Sequence, residues 1–61
     1  TIEDAIIEQI KRYGPRTARD LKLNTHMSSE DIKSILPGMV ADGTLLEFKD
    51  GKAVRYTLLE T

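Results

Sequence analysis

Residues 34–43, with the sequence SILPGMVADG, carry a proline–glycine pair inside an apolar pattern that has helical spacing. Such a pair ordinarily marks a turn. With Ile32 at the origin of a helical wheel, however, the following apolar residues stay within one arc of about 140°. They are Ile35, Leu36, Met39 and Val40. Pro37 falls on the opposite side, where water can replace the hydrogen bond that proline removes. The sequence therefore predicts a helix that begins at a Ser28 cap, continues through Pro37 and ends at Gly43.

Two shorter helices are predicted before this one. Residues 1–14 combine a capping residue, apolar residues at helical spacing and a terminal glycine. Thr17, with Asp20 three residues later, has the pattern of a capping box at the start of a second helix. Asn24 opens an Asn-Thr-His segment that predicts a turn, because asparagine tolerates left-handed backbone angles. The predicted order is helix, short helix, turn and helix.

Residues 44–60 have the alternating pattern of a β-hairpin. Leu46 and Phe48 are expected to face inward on the first strand, and Asp50-Gly51 is expected to form the tight turn. An isolated hairpin is not stable in water, so it must share the core of the helices. The expected core residues are Ile6, Ile10, Leu21, Ile32, Leu36, Met39, Phe48, Val54 and Tyr56.

Length and composition restrict the function. The 61 residues are enough for one small domain, residues 1–61, and the missing initiator methionine favours a fragment of a longer protein. No cysteine is present, and His26 has no neighbouring metal ligands, so neither a metal site nor a cofactor is expected. The sequence has no membrane-spanning run and no signal-peptide pattern. A soluble protein that is not an enzyme is expected, cytoplasmic and nucleoid-associated, or nuclear in a eukaryote.

Charge is unevenly distributed although the formal net charge is only −1. Residues 1–10 contain three acidic side chains and no basic one, whereas residues 11–22 contain five basic side chains against Asp20 alone. A second basic group lies near the end of the chain and comprises Lys49, Lys52 and Arg55. Bulk charge therefore does not favour nucleic-acid binding, but two local basic groups do.

The order of elements resembles a winged helix-turn-helix domain, an α+β fold with a three-helix core and a C-terminal hairpin wing. The resemblance covers essentially the whole chain. It rests on TARDLKLNTHMSSEDIKSILPGMVADGTL, residues 17–45, and on FKDGKAVRYTL, residues 48–58. Residues 20–22 and 26–33 are also similar to the winged helix that closes the middle subunit of eukaryotic replication protein A, a protein-binding module.

The resemblance implies two kinds of function, because winged helices mostly bind DNA in transcription regulators and a large minority bind proteins or RNA. In the DNA-binding form the third helix enters the major groove and the wing contacts the phosphate backbone. The residues then expected to bind double-stranded DNA are Arg16, Arg19, Ser29, Lys33, Ser34, Lys49, Lys52 and Arg55.

The alternative is a protein-interaction winged helix within a larger complex. It is favoured by the exposed face of the third helix, which has no Arg, Asn or Gln to read bases. No membrane partner is expected. A protein partner or a homodimer would be contacted through regions outside this fragment.

Overall fold

The structure, a computed structural model, describes residues 1–59 as three helices and a three-stranded sheet. Residues 60 and 61, which end the predicted hairpin segment and the predicted domain, lie outside the described residues. The elements are α1 (Ile2–Tyr13), β1 (Arg16–Thr17), α2 (Ala18–Thr25), α3 (Ser29–Ala41), β2 (Leu45–Asp50) and β3 (Ala53–Leu58). This order confirms the predicted winged-helix architecture.

The helices begin at the predicted caps. Thr1 caps α1 in a reciprocal capping box with Asp4, and Thr17 does the same for α2 with Asp20. At α3 the Ser28 hydroxyl accepts a hydrogen bond from a backbone N–H in the first turn, at 3.1 Å. Side-chain caps of this kind satisfy N–H groups that have no partner within the helix.

Helix α3 continues through Pro37, as the apolar pattern predicts. Pro37 is exposed, whereas Ile32, Leu36 and Met39 on the opposite side are buried. The helix ends where Gly43 adopts a φ of 85°, a left-handed conformation that favours glycine.

The sheet has the strand order β1-β3-β2, and both neighbouring pairs are antiparallel. The sequence analysis did not predict β1, because two residues are too few for an alternating pattern. Arg16 lies opposite Tyr56 and Thr17 lies opposite Arg55. Strand β1 thus joins the start of α2 to the hairpin.

The predicted inward face of β2 was wrong by one residue. Leu45 lies opposite Leu58 and is 1% exposed, whereas Leu46 is 46% exposed. Phe48 lies opposite Arg55, on the outer face of the sheet with Leu46. Strand pairing therefore places Phe48 outside the predicted core.

The core combines all three helices with the base of the hairpin. Val54 was also predicted to be buried, but it lies near the tip of the wing and is 37% exposed. Tyr56 is half-buried against the core, on the predicted face. The buried hydrophobic residues are Ile6, Ile10, Leu21, Met27, Ile32, Leu36, Met39 and Leu45.

Two turns differ from their predicted positions. Asp50 pairs with Ala53, so the loop of the hairpin consists of Gly51 and Lys52 rather than Asp50 and Gly51. Gly51 has a φ of 65° at the first loop position, which is where a type II′ turn requires glycine. After α2, the left-handed residue is His26, with a φ of 58°, and not the predicted Asn24.

The longest helix within residues 1–59 has 13 residues, and none of the described helices has the length and apolar character needed to cross a membrane.

Candidate nucleic-acid interface

The outer face of α3 presents three of the predicted contact residues to solvent. Ser29, Lys33 and Ser34 are all exposed. They lie on the first turns after the Ser28 cap, and the buried Ile32 anchors this part of the helix to the core. The fold thus leaves the first half of α3 accessible to a ligand.

A groove of about 300 Å³ runs between α2 and α3 and is hereafter called the α2–α3 groove. Most of its surface is apolar, and three cationic side chains contribute to it. Its lining residues are Ala18, Arg19, Lys22, Ser29, Ile32 and Lys33. Arg19 and Lys33 were predicted as contact residues separately, and the structure brings them to one site.

Lys22 belongs to this groove but was not among the predicted contact residues. It follows Arg19 by three positions on α2, and residues at that spacing lie next to each other on a helix surface. This spacing is a signal that the sequence contains. Lys22 is half-buried, so its stem packs along the groove.

The cations of the groove have no acidic partner among the described residues. Within residues 1–59 the ion pairs join the Thr1 ammonium to Asp4 and Arg55 to Asp50. Asp20 is close in sequence, but its carboxylate accepts a hydrogen bond from the Thr17 N–H at 3.5 Å. Hydrogen bonding to the Thr17 side chain holds the pKa of Asp20 below its usual value, so this carboxylate serves the helix cap.

Arg16 does not stand free at the start of α2, where the sequence analysis placed it. It lies on β1, and its Cζ is 5.1 Å from the centroid of the Tyr13 ring. This distance is within the range of a cation–π contact. Its Nε is buried, without a hydrogen-bond partner in the described part of the chain. The prediction missed this contact because β1 was not foreseen.

The three basic residues of the wing do not form one patch. Lys49 lies opposite Val54, so Lys49 and Arg55 point to different faces of the sheet. Arg55 donates from Nε to the Asp50 carboxylate at 2.8 Å and from Nη1 to the Pro15 carbonyl at 3.3 Å. Arg55 thus holds the wing to the segment before β1, while Lys49 and Lys52 are exposed.

No family model matches this sequence, and no curated protein matches it. A solved structure does match the fold: the apo-Zalpha domain of zebrafish PKZ, with a TM-score of 0.87. The alignment covers 97% of this chain and 92% of that chain. The chain is a winged helix. At 22% sequence identity, the likeness establishes the architecture of this winged helix alone.

Proposed function

We propose that this winged helix is a DNA-binding domain of a transcription regulator, with α3 in the major groove and the wing beside the phosphate backbone. The observation that carries the proposal is the convergence of Arg19, Lys22 and Lys33 beside the exposed first half of α3. None of these cations has an ion-pair partner within residues 1–59.

Electrostatics supports binding through local contacts. Duplex DNA carries about one negative charge per 1.7 Å of its axis, and cations that neutralise phosphates release counterions. The chain as a whole has a net charge of −1, so attraction must come from the places where cations are concentrated. The α2–α3 groove is such a place, and Lys49 and Lys52 on the wing supply a second contact.

The shape of α3 is compatible with the major groove. Its 13 residues make a helix about 20 Å long, and the major groove of B-DNA accepts a helix. Lys33 can donate to guanine acceptors, and the hydroxyls of Ser29 and Ser34 can bind a base edge or a phosphate. Because this face has no Arg, Asn or Gln, phosphate contacts supply most of the affinity and sequence preference is weak.

Fluorescence anisotropy with labelled duplexes tests the proposal. Removing Lys33 and Ser34 together (K33A/S34A) should reduce the preference between sequences. Removing Lys49 and Lys52 together (K49A/K52A) should weaken binding to every duplex and flatten the salt dependence by about 0.9 per lost phosphate contact.

Lys11→Ala is the matched control, because Lys11 is exposed on α1 beside Thr57 and Leu58, away from the α2–α3 groove. It should leave affinity and salt dependence unchanged. The proposal fails if the wild-type protein shows no binding at about 50 mM salt, where weak electrostatic complexes persist. It also fails if Lys11→Ala weakens binding as much as K49A/K52A does.

A further inference from the structure

The α2–α3 groove has two kinds of surface. Its floor is formed by Ala18, which is half-buried, and by the edge of Ile32, which is 4% exposed. Its rim is formed by Arg19, Lys22 and Lys33. The aliphatic stems of these three side chains extend the apolar floor towards the charged rim. The groove therefore combines an apolar interior with positive charge around it.

A phosphate group would use only half of this arrangement. Cations attract a phosphodiester, but an apolar floor contributes nothing to its binding and displaces the water that would solvate it. An aliphatic or aromatic side chain gains free energy by covering such a floor. The floor therefore favours a ligand with an apolar group, and the rim requires that group to be surrounded by negative charge.

Charge complementarity selects an acidic ligand over a basic one. Among the described residues, those that line the groove include no carboxylate. Asp20, the acidic residue within α2, is engaged by Thr17 in the helix cap. A basic segment would bring like charges together at the rim, and such a contact is strongly unfavourable.

We propose that the α2–α3 groove binds an acidic segment of a partner protein, whose apolar side chain rests on Ala18 and Ile32 while its carboxylates pair with Arg19, Lys22 and Lys33. Protein grooves commonly recognise short segments in this way, with an apolar anchor for affinity and charges for orientation. The Ser29 hydroxyl adds a donor at the mouth of the groove.

The position of the groove couples this interaction to the proposed function. Ser29 and Lys33 line the groove and also belong to the face of α3 that we place against DNA. One ligand therefore excludes the other, and the acidic segment releases the domain from DNA. This coupling rests on the proposed DNA binding, whereas the peptide interaction itself does not.

Direct binding is measured by anisotropy without DNA. The probe is a fluorescein-labelled synthetic peptide in which aspartates and glutamates flank one leucine and one phenylalanine. Lys22→Glu should weaken binding at least about tenfold, since it replaces a partner of the carboxylates by a like charge. Lys52→Glu makes the same charge change on the wing and should leave the affinity within about twofold. Circular dichroism confirms that both variants are folded.

A second peptide, with serine in place of the leucine and the phenylalanine, tests the apolar floor. It should bind at least about tenfold more weakly than the first peptide. Equal binding of the two peptides, an equal loss in Lys22→Glu and Lys52→Glu, or no binding of the first peptide would each overturn the proposal. In the last case, loss of duplex binding by Lys22→Glu would identify the groove as a phosphate site.

Competition separates this proposal from the proposed function. Displacement of a labelled duplex by the unlabelled peptide supports both. If the peptide binds and no duplex does, the groove interaction stands and the DNA-binding proposal falls. If the duplex binds and the peptide does not, the DNA-binding proposal stands and the groove interaction falls.

Discussion

The α2–α3 groove and the wing each carry three basic side chains, but the fold arranges them in opposite ways. Arg19, Lys22 and Lys33 come from two helices and converge on one groove. The wing residues are closer together in the sequence, yet Lys49 and Arg55 lie on different faces of the sheet. Helical spacing brings side chains three or four positions apart together, whereas strand alternation separates neighbours. A basic cluster in the sequence is therefore a basic surface only when the secondary structure makes it one.

The largest expected effect concerns the base of the wing. Leu45→Ala should lower the free energy of unfolding by about 2–5 kcal/mol, because it removes a fully buried side chain from the core. Leu46→Ala is the matched control on the outer face, and its effect should stay within about 0.5 kcal/mol. Urea unfolding measures both. A larger loss in Leu46→Ala would restore the strand register predicted from the sequence and contradict the observed one.

A gain in stability is expected on the exposed side of α3. Pro37→Ala should restore a helical hydrogen bond, with a gain below the roughly 3 kcal/mol that proline costs inside a helix, because water already serves the exposed carbonyl. Gly38→Ala should add about 1 kcal/mol, since an added Cβ meets no atom within 4 Å. Thermal unfolding measures both variants. Lower melting temperatures in both would show that the segment is a turn.

A smaller effect concerns the cap of α2 and depends on pH. The Thr17 side chain lowers the pKa of Asp20 below 3.8, so the ionised carboxylate stabilises the folded state. This contribution is complete above that pH and is lost as the pH falls through the lowered pKa. Wild type should therefore exceed Asp20→Asn in stability at neutral pH, and the difference should disappear in acid. Urea titrations at several pH values measure it, and a difference that is constant with pH would contradict the assignment.

The smallest effect is expected at the ion pair of the wing. Arg55→Gln removes the contact with Asp50, whose side chain is 61% exposed, so the loss should be about 0.2–1 kcal/mol. The loss should shrink in high salt, because screening weakens exposed pairs. Lys52→Gln is the control without an ion pair among the described residues. Equal losses in the two variants would mean that the Arg55 contacts do not hold the wing.

Local patterns predicted most of the fold. The helices, the caps at Thr1, Thr17 and Ser28, and the passage through Pro37 follow from residue spacing along one segment. The face of β2 does not, because Leu45 and Leu46 are identical side chains and only pairing with β3 decides which is buried. Strand β1 was missed because two residues contain no pattern.

The candidate site was predictable in part. The exposure of Ser29, Lys33 and Ser34 follows from the apolar pattern of α3. The stacking of Arg16 on Tyr13 depends on β1 and could not be inferred from composition. Convergence of cations from two helices depends on how α2 packs on α3, and a linear sequence does not show that packing.

The most direct test of DNA binding by this domain is an amide chemical-shift titration with a short duplex. The 61-residue chain suits this method, because each backbone N–H reports on its own surroundings. The account predicts the largest shifts in the first turns of α3 and around Arg19 and Lys22, with smaller shifts at Lys49 and Lys52. Shifts confined to Leu46, Phe48 and Thr57 on the outer face of the sheet, or no shifts at low salt, would contradict it.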